Sequence, residues 1–111
     1  MKIDINFEHP LLDEETILKL TTQDLDCFYA DETESNRFNL FFVLEASLHK
    51  LQSENRRTAA ARCAFLLAYY LFTPLTPPAS LELAKFYINN ALAWDDTPEY
   101  RQWKKIIDGG N

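Results

Sequence analysis

At 111 residues the chain is long enough to bury one hydrophobic core, and with 47% hydrophobic and 14% aromatic residues it is far too apolar for a disordered segment. Its formal net charge of −6 disfavours nucleic acid and anionic lipid as partners. The only two glycines, Gly109 and Gly110, stand at the extreme end, which leaves little scope for tight hairpins or glycine-rich phosphate loops.

Taken in chain order, MKIDINFEHP has no basic-then-apolar leader pattern, and KIDINF (residues 2–7) reads as an extended arm. After Pro10, Asp13 is placed to cap a helix starting at Glu14, whose early acids suit the positive end of the helix dipole. Ile17, Leu18 and Leu20 should face inward. Thr21 with Asp24 has capping-box spacing and opens a second short helix, DLDCFYA. DETESN is too polar to bury and is expected to be a loop, with Ser35 or Asn36 capping the next helix. There Phe38, Phe41, Leu44, Leu48 and Leu51 recur at helical spacing, and Leu40, Phe42, Val43 and Ala46 widen the stripe. QSENRR predicts a turn near residues 52–57, though with no proline or glycine to enforce it one long bent helix remains open.

TAAARCAFLLAYYLF, residues 58–72, is the most apolar segment, apolar nearly all round from Cys63 to Phe72, the pattern of a helix sandwiched between others, and its small residues at 59–61 and 64 allow a close neighbour. Pro74, Pro77 and Pro78 should end it. Ser80 starts LELAKFYINNALAW, lined by Leu81, Ala84, Ile88, Ala91 and Leu92. Pro98 sits at a favoured first-turn position behind Asp96 or Thr97, and Tyr100, Trp103, Ile106 and Ile107 form a last stripe. The expectation is an all-α protein, a compact bundle of about five or six antiparallel helices. One domain, 1–111, would comprise an acidic unit at 1–34 and a helical body at 35–111. No apolar run predicts a membrane span, and Cys27 and Cys63 form no CxxC pair, which fits two reduced thiols and a cytoplasmic location.

The C-terminal half resembles a tetratricopeptide repeat, a helical hairpin that displays a protein-binding surface. Cys63, Leu66 and Tyr70 carry the likeness on the first helix, then Ala84, Ile88 and Ala91 on the second, closed by WDDTPEY. It implies stacked antiparallel helices over residues 58–94. The chain departs from that family at Leu67, where a small residue is usual, and in the long connection TPLTPP.

The residue types also bear on chemistry. There is no HExxH, GxSxG or P-loop spacing, His9 and His49 stand alone, and Cys27 sits among carboxylates, poor surroundings for a nucleophilic thiolate. An enzyme, a cofactor and a metal site are therefore not expected. Arg56, Arg57 and Arg62 are expected to pair with acids or to solvate a helix start.

Charge is unevenly spread: residues 1–34 hold ten acids against Lys2 and Lys19, a net −8, while residues 35–111 hold seven acids against nine bases, a net +2. QDLDCFYADETESN sets Phe28 and Tyr29 among carboxylates. One reading is that Leu25 and Phe28 anchor a helix whose acids face water. The sharper one is an epitope for a basic partner, made by Asp24, Asp26, Tyr29, Asp31, Glu32 and Glu34 with Glu14 and Glu15 in support. In type, such a chain resembles bacterial immunity or antitoxin proteins that neutralise a basic toxin, a nuclease above all. The alternative is a repeat-like adaptor or secretion chaperone, where Tyr69, Tyr70, Phe86, Tyr87 and Trp94 would line a peptide groove. A homodimer through Tyr100 and Trp103 is a third option.

Overall fold

A computed structural model of the protein describes residues 1–110, and across them six α-helices follow one another with no strand. They are α1 (Glu14–Lys19), α2 (Thr22–Asp31), α3 (Glu34–Ser53), α4 (Arg57–Tyr70), α5 (Ser80–Trp94) and α6 (Pro98–Gly109). The architecture is the expected small all-α bundle.

Most helix starts follow from local chemistry. Asp13 accepts from the Thr16 N–H at 2.8 Å, and Thr21 and Asp24 complete the reciprocal capping box on α2. Thr97 caps α6, with Pro98 in its first turn. The cap on α3 differs from expectation: Thr33, not Ser35 or Asn36, accepts from the Asn36 N–H at 3.2 Å, so the DETESN loop shrinks to little more than Glu32 and Thr33.

α4 is the hub, packing against α1, α2, α3 and α5. From Ala59 to Tyr70 every α4 residue except Arg62 is buried, the all-round apolar pattern of a central helix. Two of these neighbours, α3 and α5, run antiparallel to it. The Tyr70 hydroxyl at its end donates to the Arg37 carbonyl at the start of α3 (2.5 Å), and Arg57 at its start donates to Ala93 and Trp94 at the end of α5. α6 instead lies alongside α4 in the same direction, since Arg62 meets Glu99, Phe65 stacks on Tyr100 at 4.8 Å and Tyr69 meets Trp103 edge-on at 5.0 Å.

Asn55, with φ 59°, turns the chain sharply between α3 and α4, so residues 36–72 form two helices. The expected stop after Phe72 falls later. A π-helical turn, Leu71–Leu75, continues α4 straight through Pro74, and the break comes at Thr76 (φ 44°) and Ala79 (φ 61°). A π turn pairs each N–H with the carbonyl five residues back, so Pro74 deprives Tyr69 of a donor. The Thr73 hydroxyl replaces it at 3.0 Å.

The joined stretch Arg57–Leu75 reaches 19 residues and holds an 18-residue window of mean hydropathy 1.2, enough by length and composition to cross a bilayer, yet 78% of that window is buried inside the bundle. Five side chains point away from their expected faces. Leu18, Phe38, Phe42 and Ile106 are 46%, 42%, 65% and 41% exposed, and Ala46 is exposed as well. Ser47 occupies the core face of α3 instead. Its hydroxyl donates to the Val43 carbonyl at 2.7 Å and accepts the Leu12 N–H at 3.0 Å, which ties the N-terminal arm to the bundle.

Candidate functional site

α2 carries most of the predicted epitope. Leu25 and Phe28 are buried and fix its inner face, as the simpler reading holds, so Gln23, Asp26, Cys27, Ala30 and Asp31 look outward. Asp24, Asp31 and Glu32 line a groove of about 300 Å³ with Cys27, Phe28 and the arm residues Met1, Lys2 and Ile3.

The named residues do not all stand in one state. Asp24 is half-buried and committed: its carboxylate accepts from the Thr21 N–H at 2.9 Å and faces the Met1 amine at 2.7 Å. Those contacts, the amine foremost, hold its carboxyl below the ordinary value. Asp26 is exposed but takes the Tyr69 hydroxyl on both oxygens, at 2.8 and 2.9 Å. Tyr29 is half-buried, edge-on to Tyr70 at 6.5 Å and covered by the Arg37 guanidinium 4.1 Å from its ring centroid. It is a packed residue more than a projecting anchor. Glu32 accepts from the Asn36 amide at 2.9 Å, while Asp31 and Glu34 are exposed and have no ion-pair partner among the described residues. Glu14 and Glu15 lie on α1, and Glu15 pairs with Lys19 at 2.7 Å.

Three arginines direct their donors to backbone carbonyls instead of to these acids. Arg37 Nε donates to the Tyr29 carbonyl at 2.7 Å near the end of α2. Arg62 gives Nε and Nη2 to the Leu20 carbonyl just after α1, at 3.2 and 2.8 Å. Arg57 gives Nε and Nη2 to Trp94 and Ala93, at 3.2 and 3.1 Å. Each cation thus closes the negative end of a helix. Arg62 also reaches Glu99, and Arg101 reaches Asp96, but among the described residues no arginine is paired with an acid of the first 34. The expectation that Arg57 and Arg62 serve acids or a helix start is therefore met only in part. Nothing in the sequence near an arginine marks a carbonyl tens of residues away as its partner.

Of the aromatics assigned to a peptide groove, Tyr69, Tyr70 and Tyr87 are buried, Trp94 is half-buried and Phe86 is 58% exposed. The hydroxyls of the three tyrosines bond to Asp26, to the Arg37 carbonyl and to Glu45. Tyr100 is likewise buried, stacked on Phe65. Cys27 is exposed and Cys63 buried; both are free thiols, and burial raises the Cys63 thiol far above its ordinary range. Among the described residues no three histidine, cysteine or carboxylate side chains gather as a metal ion would need. The chain matches no protein-family model, and no curated protein or solved structure is similar to it.

Proposed function

We propose that the protein is a binding module of the immunity or antitoxin type, which neutralises a basic protein toxin by covering its cationic site with carboxylates. A nucleic-acid-cleaving toxin fits best, because its active site is already built to accept phosphate charge. The observation that carries this reading is the uncompensated acidic segment. Among the described residues its acids are paired with no arginine, and Asp31 and Glu34 stand exposed at the joint between α2 and α3 with Glu32 between them. Carboxylates left in this state repel one another in the free protein, and a cationic partner relieves that repulsion.

The test is association with a basic protein captured from the native cell, measured by stopped flow for the native chain and for the triple variant Asp31→Lys, Glu32→Lys, Glu34→Lys. The association rate is expected to fall by about tenfold or more, with a flatter salt dependence. The captured protein should also lose nuclease activity stoichiometrically on adding the native chain. Unchanged association by the variant would overturn the reading.

A further inference from the structure

A second surface feature lies away from the α2 groove. Residues of the arm and the outer face of α3 enclose an apolar groove of about 250 Å³, lined by Ile5, Phe7, Pro10, Phe42, Val43 and Ala46. Two of its rings are unusually bare: Phe7 is 78% exposed and Phe42 65%. The arm is not loose here. Asn6 Oδ1 accepts from the Glu8 and His9 N–H groups at 3.0 and 3.3 Å, a local turn that holds Phe7 outward, and the Leu12–Ser47 hydrogen bond pins the arm to α3. The charges flanking the arm's apolar pair are Asp4 and Glu8, both exposed and neither in an ion pair among the described residues. Glu34 stands one turn before the half-exposed Phe38 on the same helix. Lys50 lies a turn beyond Ala46, at the far end.

We infer that this groove docks a cationic amphipathic segment of the partner. An apolar side chain enters between Phe7 and Phe42, while neighbouring lysines or arginines meet Asp4 and Glu8. The inference rests on the proposed acidic binding role and adds what carboxylates alone lack. Exposed charge governs how fast partners meet, whereas a desolvated aromatic contact governs how slowly they part.

The probe is a helical eighteen-residue peptide of leucine and lysine, with a leucine–glutamate peptide as its opposite. Binding is followed by fluorescence anisotropy and by methyl NMR shifts of Ile5, Val43 and Ala46. The lysine peptide is expected to shift those methyls, to dissociate at least tenfold faster from Phe42→Ser and Phe7→Ser, and to keep its dissociation rate in the Asp31, Glu32, Glu34 charge-reversal variant. The glutamate peptide should not bind. Both phenylalanines are exposed, so each variant is expected to fold, which circular dichroism checks. Binding lost on charge reversal but indifferent to both phenylalanines would overturn the groove and leave the acidic role standing. Binding sensitive to neither would overturn both, and no binding of the lysine peptide overturns the groove. A mass by light scattering that grows with concentration for the native chain but not for Phe42→Ser would overturn the cationic occupant in favour of a second copy.

Discussion

Asp24 holds two backbone ends together: it completes the cap on α2 and pins the arm through the Met1 amine. Replacing it with alanine is expected to lower stability at neutral pH by about 1 kcal/mol, the ordinary size of a lost cap. Because its folded carboxyl titrates below the unfolded one, its contribution is present above about pH 4 and fades as pH falls through the folded value. Chemical denaturation at pH 7 and pH 2.5 should therefore show a larger difference between native and Asp24→Ala proteins in the first case than in the second.

Asp26 and Tyr69 give the residue scale its clearest limit on sequence reading. The exposure of Asp26 was legible from a polar, acid-rich segment. Its bond to a tyrosine 43 residues away was not, since no local pattern encodes such a pairing. The packing of Tyr29 was hidden for the same reason: the guanidinium that covers it comes from the next helix.

At the scale of elements, the caps at Asp13, Thr21 and Thr97 were readable because each uses side chains within three residues of its target. The facing of α3 was harder. Leu40 to Leu44 is an unbroken apolar run, so periodicity cannot say that Phe42 points out, and a serine hardly announces itself as core. The π turn was missed because proline normally ends a helix. Here a wider turn and the Thr73 hydroxyl together absorb the missing N–H. Thr73→Val keeps the shape of the side chain and deletes that donor. It should cost about 1 kcal/mol by denaturant unfolding, with the effect concentrated in faster amide exchange around residues 71–75.

The joint after the π turn stores strain. Thr76 and Ala79 both adopt left-handed backbone, which glycine accepts readily and a β-branched residue resists. Thr76→Gly is expected to raise stability by about 1 kcal/mol, visible as a higher melting temperature. A melting temperature that falls would mean that the threonine side chain contributes more than the backbone loses.

For the molecule as a whole, four tyrosines, Tyr69, Tyr70, Tyr87 and Tyr100, have hydroxyls that burial pushes above the ordinary value near 10. The folded state therefore holds these protons more tightly than the unfolded one. Stability is fully present below about pH 10 and declines as pH rises beyond it. Melting curves from pH 8 to 12, paired with tyrosinate absorbance, should show ionisation arriving together with unfolding. The packing around α4 leaves equally little slack: Ala64 is wholly buried, and Ala64→Leu should cost about 1–3 kcal/mol through overcrowding.

Three arginines spent on helix carbonyls leave the first 34 residues as a spring of like charges held compressed by the fold. Added sodium chloride slackens that spring by screening it, so the isolated protein should melt at a higher temperature in brine than in dilute buffer. The same ions would weaken the proposed contact with a basic toxin, giving tolerance of salinity and that proposed protection opposite signs.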